Sequence, residues 1–310
     1  MEQREQIEAM KNAHPLDTAL FGAVGAFAAK LCADVSIEFI GKQFEFMEMG
    51  KYKAITSVPR LNQVYWREML FRVYWAAALN LMRHQRWQSG CTTAFKEPAN
   101  LLSFTVNLRA LIEASLDANY SLGPVPSTLA ENQAMIESGL KGTLQEVTTI
   151  EDLEERLIHF VYGRKIPKAD RGTTPASHTA LEPKEYRNAI GLPEADRKSF
   201  TDLYDDLCGL CHPTGFSLAF LWNQTRGGDA DVVHIREGQD DARIRRLCEK
   251  FEQTIQFAIS LSVTMSALCL KALNSFSLPE VGCPLIERWN FDDVAAWRKV
   301  QATLSRGPVL

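Results

Sequence analysis

The chain has 310 residues, of which 46% are hydrophobic and 23% charged, the proportions of a globular protein and not of a disordered chain or a fibrous repeat. Its formal charge of -4 supplies no overall basic field, so capture of DNA by phosphate neutralisation, or docking in its grooves, is not expected. Seven cysteines without regular spacing argue against a disulfide framework and suit a reducing cytoplasm.

The charged start, MEQREQIEAMKNAHPLD, lacks the apolar run that an export signal carries behind its basic residues, so none is expected. From Leu16 to about Met49 apolar residues recur at three- and four-residue steps and the pattern ends near Gly50, which predicts one or two helices. Within it, Thr18 to Leu31 is too short to span a bilayer before Cys32, Asp34 and Glu38 interrupt, so a packed helix and no membrane contact are expected. Pro59 opens an aromatic-rich helix running to about Trp87, and Pro98 opens another that runs to Leu122 before Gly123, Pro124 and Pro126 stop it.

A shorter helix follows Ser127, and Ile150 to Tyr162 carries Leu153, Leu157, Ile158 and Val161 on one side. Residues 163–183, with Pro167, Gly172, Pro175 and Pro183, predict a loop or linker that is the best domain-boundary candidate; since helices of similar character flank it, an insertion within one helical domain fits equally, and one domain is the reading adopted. Pro193 starts a helix whose stripe of Phe200, Leu203, Leu207 and Leu210 ends at His212-Pro213. After the apolar run FSLAFLW, DVVHIRE is the one convincing β-like segment, an edge or part of a small hairpin. Asp241 to Leu273 predicts a long helix and Asp292 to Leu304 a final one, and no internal repeat is present.

Signature motifs are few. Cys208-Gly-Leu-Cys211-His212 matches the literal haem-attachment pattern and half of a zinc site, yet it closes an apolar helix, has no second ligand pair, and reads better as packed thiols. No phosphate-cradling glycine loop, nucleophile elbow or H-E-x-x-H pair occurs, which excludes the readily recognised nucleotide-binding and hydrolase classes, and no metal or cofactor is expected. Basic clusters at Arg164, Lys165, Lys168 and Arg171, and at Arg243, Arg245 and Arg246, read as solvated surface.

The strongest signal is a polar stripe on the Pro98 to Leu122 helix. At about 100° per residue, Arg109, Glu113 and Tyr120 share one arc, and Leu102, Val106, Ile112 and Leu116 lie within roughly 60° of Arg109. The opposite side is small, with Ser103, Asn107, Ala110, Ala114 and Ala118, so a neighbour can approach closely. Polar groups rising from an apolar surface require partners, and the i,i+4 spacing of Arg109 and Glu113 allows an internal ion pair. Two readings follow: a structural pair, or a polar pocket completed from another helix, with His212 beside its helix-stopping proline as the candidate.

These residues resemble those of bacterial all-α proteins of the HEPN-like group, in which an N-L-R-A-L-I-E-A type helix precedes a Y-x₇-H-P helix end. Here they read Asn107 through Ala114, and Tyr204 through His212-Pro213. The resemblance covers about Pro98 to Phe220, extends at most to the long helix after Asp241, and leaves the first ninety or so residues unaccounted for. It implies an all-α multi-helix bundle of HEPN-like type with extra N-terminal helices and at most one short β segment. The implied layout is an N-terminal helical region over 1–97 packed on a core over 98–310, with a loop insertion at about 163–183. It further implies a cytoplasmic protein acting on or binding RNA or a nucleotide, as a homodimer or with a partner protein, and serving as a metal-independent endoribonuclease of a toxin or antiviral defence system. His212, Arg109 and Glu113 would be catalytic, with Tyr120 and Tyr204 binding substrate. RNA cleavage needs an acid or base near the 2′-hydroxyl and a cation for the phosphate, which histidine and arginine supply. The chain departs from the group's arginine upstream of the histidine, since Asp205, Asp206 and Leu207 stand there. The alternatives are a non-catalytic interaction or regulatory protein with a structural Arg109–Glu113 pair, and a metal-dependent hydrolase using His212, Glu113 and Cys208.

Overall fold

The computed structural model describes residues 2–306 apart from 171, 214, 228, 229, 236 and 237. It is an all-α bundle with one two-stranded sheet among the described residues. In chain order the helices are α1 (Glu2–Ala13), α2 (Pro15–Ser36), α3 (Met49–Lys53), α4 (Val58–Phe95), α5 (Leu101–Leu122), α6 (Val125–Glu131), α7 (Gln133–Leu140) and α8 (Glu151–Tyr162). Next come α9 (Pro183–Ala189), α10 (Glu194–Cys211) and α11 (Gly215–Leu218), the strands β1 (Trp222–Gly227) and β2 (Ala230–Ile235), and then α12 (Asp240–Lys250), α13 (Glu252–Leu273) and α14 (Ala295–Ser305).

These elements gather into two compact units, each drawn from three stretches of chain: 1–30, 83–116 and 183–261 form the first, and 31–82, 117–182 and 262–310 the second. Each takes residues from both sides of position 97, and the divisions fall inside α2, α4, α5 and α13.

In the first unit the small back of α5 does what its composition promised. Gly90 on α4 faces Asn107, and a Cβ at position 90 would collide with that side chain, so α4 continues past Trp87 to Phe95 as a close neighbour of α5. Asn100 starts α5 by accepting the backbone N–H of Ser103 at 2.8 Å, the standard way to satisfy an orphan donor of the first turn. The apolar side of α5, with Phe104, Leu108, Leu111 and Ile112, is buried in the same unit as Phe200, Leu203 and Leu207 of α10, and Phe104 stacks on Phe21 at 6.5 Å. Each such side chain, fully buried, contributes about 1.5–3 kcal/mol. A buried polar line crosses this core: Gln88 donates to Asp17 Oδ1 at 2.5 Å and to the Gly25 carbonyl at 2.8 Å, and lies 3.1 Å from His84 Nε2. Burial lowers the pKa of His84 to about 4, which keeps the ring neutral.

The expected helix over Asp241–Leu273 is broken at Phe251, whose φ of -118° and ψ of 23° separate α12 from α13. The segment DVVHIRE is the second strand of a hairpin that pairs Trp222 with Ile235 and Thr225 with Val232. Its Arg236 and Glu237 lie outside the described residues, as does Arg171 of the basic loop.

In the second unit Trp66, Met69, Leu70, Phe71 and Tyr74 of α4 are buried. Trp66 donates to Thr148 Oγ1 at 3.0 Å and rests against Gly139, where no side chain would fit. Asn62 fastens the same segment, donating to the Glu146 carbonyl at 2.8 Å and accepting from the Thr148 N–H at 3.1 Å. The loop after α8 is tied by Arg164, which donates to the His178 carbonyl and accepts from the Ala180 N–H, both at 3.0 Å. The helical reading up to Met49 fails over 37–48. There the chain turns and extends, because Phe39, Phe44 and Phe46 are spaced to meet the aromatic face of α4 and not to line a helix of their own.

Among the described residues two helices, α2 and α13, are long and apolar enough to cross a membrane, which the expectation of a short segment at 18–31 did not anticipate. In α13 72% of the most apolar window is buried inside the fold, as in a core helix, and α2 is broken by Gly22 at φ 64°, a conformation that costs other residues most.

Candidate functional site

Arg109 and Glu113 stand one turn apart on α5, and Tyr204 reaches them from α10 within the first unit. The three close a triangle. Arg109 Nε donates to Glu113 Oε1 at 3.0 Å, Arg109 Nη2 donates to the Tyr204 hydroxyl at 3.0 Å, and that hydroxyl donates to Glu113 Oε1 at 2.9 Å. The side chains of Arg109 and Glu113 remain 26% and 37% exposed, so the triangle faces solvent on one side.

The electrostatics follow from this packing. Burial alone would disfavour the charged guanidinium, but the hydrogen bond and charge of Glu113 outweigh it and hold the Arg109 pKa above its ordinary value. Tyr204 is pushed up to about 12 by burial and by its bond to Glu113, so its hydroxyl stays protonated and serves as a donor. On the same α10 face, at i+4 and i+7 from Tyr204, lie the half-buried free thiols Cys208 and Cys211. Burial raises the Cys211 pKa while the positive charge of Arg109 opposes that shift.

One further residue belongs here. Arg187, from α9, places its guanidinium 5.0 Å from the Tyr204 ring centroid, as Arg109 does at 5.1 Å, and Arg187 Nη1 is buried without a hydrogen-bond partner among the described residues. No helix was expected over 183–189, and nothing in the spacing of Arg187 marks it. Only the fold brings it to Tyr204.

Two of the proposed site residues are not part of this cluster. Tyr120 shares the arc of Arg109 and Glu113, but seven residues beyond Glu113 it lies about 10 Å further along the axis. It groups with the second unit, where its ring meets His159 at 5.2 Å and the Arg156 guanidinium at 5.5 Å, and its carbonyl accepts from Arg156 at 2.8 Å. An angular wheel discards the axial coordinate, which is why it merged the two. His212 caps α10, its backbone N–H donating to the Cys208 carbonyl at 3.0 Å. Its side chain is exposed and makes no hydrogen bond to Arg109, Glu113 or Tyr204 among the described residues. The helix delivers Tyr204 inward and releases His212 outward at its end.

Among the described residues no group of three His, Cys, Asp or Glu side chains is arranged to hold a metal ion, so Cys208, Cys211, His212 and Glu113 do not form one site. The arrangement is chemically two guanidinium groups over one phenol ring, with a carboxylate bonded to the phenol and to one of them. No family model, no curated protein and no solved structure matches this chain.

Proposed function

We propose that this chain is a HEPN-like cytoplasmic protein that binds RNA or a nucleotide through the phosphate, at the face carrying Arg109, Arg187 and Tyr204, within a toxin or antiviral defence system. The observation that carries this reading is the pair of guanidinium groups at 5.1 and 5.0 Å from one phenol ring, against Glu113 as the carboxylate bonded to that phenol. Two planar cations held in place suit phosphate oxygens, which guanidinium groups grip with paired hydrogen bonds. In a cleaving version, His212 takes the proton of the 2′-hydroxyl as the 2′-oxygen bonds to phosphorus, the bond from phosphorus to the 5′-oxygen breaks and that oxygen takes up a proton, and the arginines stabilise the negative charge on the phosphoryl oxygens, without a metal. Purified protein is incubated with total RNA beside His212→Ala and Arg109→Ala. Cleavage lost in both variants supports the ribonuclease, binding lost only in Arg109→Ala supports binding alone, and identical fragments with equal RNA retention in all three would sink both.

A second reading is supported by the closure of the triangle, in which Arg109, Glu113 and Tyr204 satisfy one another without a ligand. Under it the protein is a non-catalytic interaction or regulatory partner. It requires that RNA affinity be absent and that loss of either ion-pair member lower the melting temperature.

A further inference from the structure

The second unit holds a cavity of its own. After α2 the chain over 37–48 lays Phe39, Phe44 and Phe46 against Tyr74 and Trp75 of α4, and these five rings wall a space of about 360 Å³. The rings are set by their own contacts: Phe39 meets Tyr74 edge-on at 5.9 Å, Phe44 is tilted on Tyr74 at 5.4 Å, and Phe46 lies 6.4 Å from Trp75. Phe46 and Leu79 are each 39% exposed, so the space opens to solvent at their edge. Its volume is near the bottom of the range of roughly 300–1,000 Å³ that small-molecule sites occupy, and its walls have their character, mostly aromatic with few polar groups.

One charged side chain lines it, that of Lys42. Lys42 Nζ sits 4.1 Å from the Tyr74 ring centroid and donates to the carbonyls of Gly282 at 2.7 Å and Glu280 at 3.2 Å. It forms no ion pair among the described residues; Glu38 acts on it only through space and does not line the cavity. Burial lowers the Lys42 pKa, and although Cys283 and the Glu38 carboxylate act the other way, the lost hydration outweighs them. An ammonium so placed repels a cationic guest and rewards an anionic one, and aromatic walls favour a flat apolar body.

We propose that this cavity binds a small aromatic carboxylate of one or two fused rings, its ring system among Phe39, Phe44, Phe46 and Trp75 and its carboxylate on Lys42 Nζ. The same geometry separates this role from a merely structural lysine. A lysine that only fastens the 37–48 segment would leave any guest indifferent to charge.

Calorimetric titration of the full chain with naphthoate and with its neutral isostere naphthamide tests the proposal. Naphthoate is expected to bind saturably, one per chain, and about tenfold or more tighter than the amide, the factor that a charge-assisted hydrogen bond supplies. Lys42→Met is expected to abolish the preference for the acid, and Leu79→Trp, a change at the half-exposed edge, to block both ligands while the melting temperature stays near the wild-type value. Absence of saturable binding at millimolar naphthoate overturns the proposal, as does equal affinity for acid and amide in the unmodified protein. Binding that survives Leu79→Trp overturns it too, and this arm decides even where Lys42→Met does not fold.

Discussion

Replacing Tyr204 by Phe isolates the hydroxyl that closes the triangle. The phenol makes two hydrogen bonds to charged groups, at 2.9 Å to Glu113 and 3.0 Å to Arg109. Where buried, a bond to a charged group contributes about 1.5–3 kcal/mol. Here Arg109 and Glu113 are 26% and 37% exposed, and their own 3.0 Å bond survives the substitution, so water replaces part of what is lost. The expected cost is about 1–2 kcal/mol in all, or about 1.5–3 °C in melting temperature for a chain of this length. Differential scanning calorimetry measures it. A cycle that adds Glu113→Gln should recover about 1 kcal/mol of coupling, because the second change falls on a partner already lost. Strict additivity, or a Tyr204→Phe protein as stable as the original, would refute the claim that the triangle is a cooperative unit.

Three other outcomes are expected. His84 titrates near 6.5 when unfolded and about 4 when folded, so its contribution is fully present above the unfolded value and is lost as pH falls between them. That amounts to about 3 kcal/mol, partly offset by Asp17, whose raised pKa acts with the opposite sign, and urea midpoints followed across this window should flatten in His84→Gln. Gly139→Ala places a methyl group into the Trp66 ring and should destabilise the protein by about 1–3 kcal/mol, read by thermal denaturation, whereas an unchanged melting temperature would mean that the helix yields freely. Asn100→Ala removes the cap of α5 and should cost about 1 kcal/mol, with Asn100→Ser restoring most of it.

What the sequence determined by itself is the class of fold and the existence of a polar cluster. Periodicity marked α5 and α10 because their stripes depend only on local geometry, and Pro98, Gly123 and Pro213 bounded them for reasons local to the backbone. The i,i+4 spacing of Arg109 and Glu113 sufficed for their ion pair, since one helix turn fixes it. Tertiary structure decided everything that depends on a second element: Tyr204 as the third corner, Arg187 against its ring, and Tyr120 assigned to other neighbours two turns along the helix. It also turned 37–48 from an apparent helix into an aromatic wall, because spacing records that residues are apolar and not what they are apolar against. His212, legible as a helix end, is exposed there, and a helix end fixes the position of a backbone while leaving the direction of its side chain to the fold.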